Sequence, residues 1–222
     1  MSAQRSPATA SHNDIERVPP EEVVSASQFP VATLHEAAGK IGALPSALKP
    51  ISVSFQLCGP AVTVDSPAGD NLWIHRALYT AQPGDVLVVR VSDAYEHGYW
   101  GEIMSTAAQV RRLGGLVIDG CVRDAMLLER IGFPVFARGL CIRGTGKDFN
   151  GRGRINGPLQ FADVMVNPGD LIVGDRDGVV AIPRAGVPEV IESAIQRTDV
   201  EEGVLERLQR GESTLSIYGW PS

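Results

Sequence analysis

Lysine is nearly missing from this chain: only Lys40, Lys49 and Lys147 occur among 222 residues. Covalent imine chemistry needs a desolvated lysine beside a carbonyl, and only Lys147, in the loop GTGKD, stands where one could serve. Cysteine is as scarce. Cys58, Cys121 and Cys141 are odd in number and widely spaced, with no CxxC pair, which argues against a disulfide framework and suits a reduced, cytoplasmic protein. Buried packing is the default for each. Histidine stands at 12, 35, 75 and 97, never as HxH or HExxH, so a histidine-rich zinc site is not indicated. No apolar run approaches the ~20 residues of a membrane span, and the first twenty positions lack the apolar core of a signal peptide. Positive charge is not in excess either: the net charge is −6 with 21% charged residues, so no broad basic surface advertises nucleic acid.

What is present is enough apolar material for a core, 44% of the residues, in one domain of ordinary size. The opening MSAQRSPATASHNDIERVPP reads as a flexible tail rich in Ser, Ala and Pro, giving a tail over 1–22 and a single domain over 23–222. Helical spacing is predicted over 31–44, 70–81, 102–114 and 123–132, with a long last helix from Gly186 to Gly211. Strand character is predicted over 51–65, 86–91, 116–119 and 134–141. The PGD turns at 83–85 and 168–170 each lead into a strand, the second into a hairpin that turns at DRDG. The middle thus alternates strand and helix with short links, which calls for right-handed crossovers and a sheet covered on both faces, while the flanks look antiparallel. The expected fold class is α/β, a single layered mixed-sheet α/β sandwich.

In such sheets ligands gather beyond the carboxyl ends of the strands. GGLVIDGCVRDAMLLERIGF (114–133) crowds Asp119, Arg123 and Asp124 where a buried strand hands over to a helix. Taken singly, each has an ordinary role: Asp-Gly is turn chemistry, Asp124 suits a helix start, and Arg123 can be solvated. Taken together, three charges at a strand end need partners, and a magnesium-type ion needs one or two carboxylates plus waters. For Asp119 the turn-shaping role is preferred. YEHGYWGEIMSTAA (95–108) sets Gly98 and Gly101 before a helix. Its first amides, over 101 to 104, would cradle an anion such as the carboxylate of an oxo acid. On this stretch alone a plain glycine-capped helix start is preferred, and Glu102 suits the helix dipole without chemistry. On the last helix, Val187, Val190, Ala194, Arg197, Glu201, Val204 and Leu208 share one stripe. A carboxylate there pairs with Arg197 one turn back or reaches a neighbouring subunit's site.

The segments LHEAAGKIGAL, GPAVTV, GDN, IH, QPGDVLVV, GYWGE, LVIDGCVRD, GFPVFARG, NPGD and DGVVAIP, in this order, resemble the 4-hydroxy-4-methyl-2-oxoglutarate / 4-carboxy-4-hydroxy-2-oxoadipate aldolases. The superfamily of these enzymes (RraA-like) also holds the regulator of ribonuclease E activity A. The likeness runs from about residue 30 to the C-terminus. It implies a class II pyruvate aldolase, dependent on Mg²⁺ or Mn²⁺, that cleaves 4-hydroxy-2-oxo diacids to pyruvate and commonly also decarboxylates oxaloacetate. It further implies homotrimers or homohexamers with sites between subunits. Asp124 matches the metal ligand and Arg123 the arginine beside the enolate oxygen. The backbone of Gly101, Glu102, Ile103 and Met104 matches the grip on the pyruvyl carboxylate, and Glu201 a glutamate from the adjacent subunit. Glu102 stands where those aldolases carry aspartate, and the loop RGTGKDFNGRGRING (143–157) departs from theirs. That loop is not a phosphate loop, because Cys141 and Asp148 stand where glycine and Ser or Thr are required. The competing reading from another class is a protein-binding scaffold, ribonuclease-regulator-like, without chemistry.

Overall fold

Four parallel strands alternate with three helices at the centre of the computed structural model, which describes residues 15–221. They are β2 (Leu57–Asp65), α3 (Leu72–Thr80), β3 (Val86–Arg90), α4 (Glu102–Val110), β4 (Gly115–Val122), α5 (Ala125–Ile131) and β5 (Val135–Leu140). Every residue of β4 is buried, as a central strand covered on both faces requires. Antiparallel strands extend this core on both sides. β1 (Lys49–Pro50) pairs with β5, while the hairpin of β9 (Leu171–Asp175) and β10 (Gly178–Ile182) joins through β2. The order is β1-β5-β4-β3-β2-β9-β10, with the short β6 (Arg154–Ile155) against the end of β2. The two edges then approach each other: the segment before β1 reaches β10, where the Leu44 N–H donates to the Val179 carbonyl at 2.9 Å, and Lys49 of β1 reaches the Asp177 carbonyl, so the sheet curls until it nearly closes.

Helices cover the sheet in two groups. α3, α4 and α5 pack on the parallel strands around Leu78, Ala108 and Leu128. Helices α1 (Pro20–Ala26), α2 (Val31–Ala37) and α6 (Val187–Gln209) cover β9 and β10 through Ala26, Leu34, Val190 and Ala194. A second hairpin, β7 (Leu159–Phe161) with β8 (Val164–Val166), and a terminal helix α7 (Thr214–Tyr218) complete the chain. The layered mixed α/β reading therefore holds, with curling as the addition.

The two PGD motifs are one device used twice. Asp85 accepts the Gln82 N–H at 2.7 Å and Asp170 the Asn167 N–H at 2.8 Å, so each carboxylate closes its own turn. Both are buried, and each takes a second partner. Asp85 pairs with Arg17 through Nε at 2.8 Å, and Asp170 accepts the Arg184 N–H at 3.1 Å. The Arg17 pairing and the buried Val18 bring the ordered fold forward of the expected boundary at 23. α1 opens with Pro20 in its first turn, followed by Glu21 and Glu22, within what reads as tail by composition. The rest of that expected tail, 1–14, lies outside the described residues.

Two predicted elements are shorter than expected. The helix over 31–44 stops at Ala37, because Gly39, Lys40 and Gly42 take φ of 74°, 64° and 84°, outside any helix. The strand over 51–65 begins only at Leu57; ISVSFQ makes turns that tuck Phe55 into the core.

Candidate functional site

β4 runs past its expected end, through Val122. Asp119 is therefore inside the strand, opposite Arg90, rather than in a turn. Its carboxylate accepts from Arg138 Nε at 2.5 Å, and the Arg138 guanidinium lies 3.9 Å from the centre of the Tyr95 ring. Asp119 thus ties β4 to β5, and the turn-shaping expectation gives way to this strand-to-strand tie.

Arg123 and Asp124 follow immediately. The Arg123 N–H donates to the Trp100 carbonyl at 2.9 Å, which joins the end of β4 to the segment before α4. Asp124 precedes α5 with φ 64°, a left-handed backbone that aspartate tolerates better than most residues. Its side chain does not cap α5. It crosses to α4, where Oδ2 accepts the Glu102 N–H at 3.1 Å and lies 3.7 Å from Arg123 Nε.

The two glycines make this contact possible. Gly101 has extended backbone, φ −165°, so its need is space rather than conformation. A Cβ there would stand 2.3 Å from Asp124 Oδ2. One on Gly98 would stand 2.5 Å from the Cys141 carbonyl oxygen and 3.1 Å from Arg123 Cβ. Trp100 and Ser105, joined at 2.6 Å, anchor the start of α4 below. The expected cradle is therefore smaller by one amide: that of Glu102 is taken by Asp124, leaving those of Gly101, Ile103 and Met104 as donors without intrahelical acceptors.

These residues line a cavity of about 410 Å³. Gly101 to Met104 form one wall with Arg123 and Asp124, while Asn71, His75, Thr145 and Lys147 form the other. The walls are linked by Asn71 Nδ2, which donates to the Tyr99 carbonyl at 2.8 Å. Burial, then the charge of Lys147, lowers the His75 pKa against an opposing pull from Asp70. The second wall escaped the reading of the sequence as a site, although GDN followed by IH sets Asn71 and His75 one helical turn apart.

Glu201 is elsewhere. The stripe of α6 is buried at Val187, Val190 and Ala194, then emerges into solvent. Glu201 is half-exposed and ion-paired with Arg197 at 2.8 Å, and Arg197 also reaches Glu36 at 3.6 Å. The buried setting expected for this carboxylate is not what one chain makes, and within one chain Glu201 does not line the Arg123 cavity.

Among the described residues no three His, Cys, Asp or Glu gather as a ready cation cage. Asp124 and Glu102 are the two acidic groups of the cavity lining. Oδ1 of Asp124 accepts no hydrogen bond among the described residues. A magnesium-type ion takes one or two protein carboxylates and leaves the remaining positions to water and substrate, so this donor set fits it; a closed zinc site needs more.

Comparison with known proteins agrees with the motif order. A family model described as Aldolase/RraA matches residues 25–181. A protein of Halalkalibacterium halodurans, named as a provisional 4-hydroxy-4-methyl-2-oxoglutarate aldolase, is 35% identical over 174 residues, 78% of this chain and 82% of that one. A Streptomyces coelicolor structure, described as an unusual member of the ribonuclease ES inhibitor RraA family, matches at TM-score 0.73 and 26% identity, covering 86% of this chain and 98% of that one. The RNA-processing inhibitor RraA from Thermus thermophilis shares the fold at TM-score 0.63 and 24% identity, over 70% of this chain and 93% of that one.

Proposed function

The chain belongs to the RraA-like family of aldolase and RraA proteins, and on that premise we propose that it is a divalent-metal-dependent pyruvate aldolase. Its substrates are 4-hydroxy-2-oxo diacids such as 4-hydroxy-4-methyl-2-oxoglutarate, and it also decarboxylates oxaloacetate. The observation that carries this is the contact at Gly101. Two glycines let a carboxylate, a guanidinium and the first amides of α4 meet on one cavity. A surface with only a packing role has no need of that set.

The 2-oxo acid lies with its carboxylate on the amides of Ile103 and Met104 and its 2-oxo oxygen toward Arg123. Asp124 would hold Mg²⁺ or Mn²⁺, and the ion would supply Lewis-acid withdrawal of charge from that oxygen. The C3–C4 bond breaks, and its electron pair passes through C3 to the C2 oxygen as an enolate. Arg123 meets the charge as it forms, with a fixed donor that needs no rearrangement. C4 keeps its hydroxyl oxygen as the new carbonyl, and the hydroxyl proton leaves to a water held by Glu102 and by Glu201 of the partner subunit. A proton from the same water then completes the pyruvate methyl group. In oxaloacetate the equivalent bond breaks to release CO₂ through the same enolate.

This assignment includes a homotrimer or homohexamer, in which Glu201 is supplied across an interface, and a cytoplasmic location. Among the described residues no helix is long and apolar enough to cross a membrane. The three cysteines are free.

Pyruvate release from oxaloacetate and from 4-hydroxy-4-methyl-2-oxoglutarate, with and without Mg²⁺ and beside Asp124→Ala, tests the proposal. Release that needs both the ion and Asp124 supports it. Indifference to both removes the enzyme and leaves the protein-binding scaffold, the reading favoured by the two inhibitor names.

A further inference from the structure

The second cavity wall has a chemistry of its own. Lys147 is clamped through the backbone on both sides: the Gly146 N–H donates to the Gly69 carbonyl at 2.7 Å, and the Asp148 N–H to Asp70 Oδ2. Asp70 is buried, and its other oxygen accepts the Leu72 N–H at 2.7 Å, so two amides occupy this carboxylate. Trp73 Nε1 pins the same loop at the Gly151 carbonyl, 3.0 Å away. Lys147 is thereby set on the start of α3, the helix that carries Asn71 and His75.

No carboxylate among the described residues lies within ion-pairing distance of the Lys147 ammonium. Over 143–154 the loop carries Arg143, Lys147, Arg152 and Arg154 against Asp148 alone, on a chain of net charge −6. On the opposite wall Arg123 and Asp124 offset each other at 3.7 Å. The Lys147 side is therefore the locally positive one. Beside it stands His75, whose pKa is lowered by burial and then by Lys147, and whose ring N–H can donate. Asn71 is 6% exposed, and its Oδ1 has no donor. A cation, a neutral donor and an unused amide acceptor suit a carboxylate next to a hydroxyl-bearing carbon.

Resting on the aldolase reading, we propose that Lys147, with His75 beside it, binds the second carboxylate of the substrate, the one on the C4 side of the bond that breaks. This subsite sets the preference for diacids over 2-oxo monoacids. The loop that departs from the related aldolases is then the part of the chain that selects the substrate.

Calorimetric titration of the full chain with Mg²⁺ tests this, using 2-oxoglutarate and 2-oxopentanoate. Neither has a 4-hydroxyl, so neither is cleaved, and they differ in the distal carboxylate. The wild type is expected to prefer the diacid by at least about tenfold, and Lys147→Met to weaken diacid binding by about 10- to 100-fold, removing most of that preference. Lys147→Arg should keep most of it. The Lys147 side chain is exposed, so the variants fold, and an unchanged melting curve checks this. No preference in the wild type, no binding of either acid, or an equal loss for both acids in Lys147→Met overturns the subsite. Pyruvate release from 4-hydroxy-4-methyl-2-oxoglutarate, measured in parallel, separates the two proposals. A wild type that discriminates but releases no pyruvate sinks the aldolase and leaves the carboxylate subsite standing.

Discussion

Of the places where the molecule sets a carboxylate beside an arginine, Asp124 with Arg123 and Glu201 with Arg197 are built in opposite ways. At the first, backbone does the placing. The end of β4, the start of α4 and two glycines fix the pair, whose side chains are still 3.7 Å apart. At the second, two side chains one turn apart on α6 meet at 2.8 Å, with Glu36 as a further neighbour. The shorter contact is the less constrained one. Distance between charges says little about role; what counts is how many independent segments must be in place to hold the groups. On that measure Asp124 is the more tightly positioned of the two carboxylates.

Substitutions at the two pairs put this contrast to measurement. Arg123→Met should lower pyruvate release by on the order of 10²–10³ with an unchanged melting temperature; a fall of less than tenfold would leave Arg123 without its role. Glu201→Gln should lower turnover by about 10². Mixing Glu201→Gln subunits with Arg123→Met subunits should recover activity that neither has alone, and no recovery would mean that Glu201 does not act across an interface. Gly101→Ala should weaken turnover by about 10-fold to 100-fold. Crowding against Asp124 should also cost about 1–3 kcal/mol in denaturant titration.

Smaller effects fall on stability. Arg138→Met leaves the buried Asp119 without its cation and should cost about 1–3 kcal/mol. Arg197→Gln breaks a half-exposed pair and should cost less than about 0.5 kcal/mol in the isolated chain. Equal losses at these two positions would erase the distinction drawn above.

The alternating core was legible because its signals are local. VLVV and LVI are unbroken apolar runs close to turn residues, and the observed strands β3 and β4 contain them. The same local signals misled over 31–44. Ala37, Ala38 and Ile41 keep helical spacing, yet Gly39 and Lys40 have already turned left-handed. α1 was hidden by composition, since its proline and glutamates suit a tail as well as a helix start. In the site, Gly98, Gly101, Arg123 and Asp124 could be singled out from two short motifs, each contiguous in sequence. That Asp124 would cap α4 rather than its own helix could not, because the choice depends on how β4 places two helix starts side by side. That Asn71, His75 and Lys147 would share one wall was hidden for a similar reason. Over 70 residues separate the ends of that wall, and bonds from the loop to Gly69, Asp70 and Trp73 bring them together.

The left-handed backbone at Asp124 carries a consequence for how such a protein drifts. A side chain in that conformation costs about 1 kcal/mol relative to glycine. Random change that hardens the scaffold is therefore rewarded at the very residue proposed to hold the metal. A lineage released from the need for catalysis should lose this carboxylate early and become sturdier for it, keeping a serviceable shape with its chemistry gone.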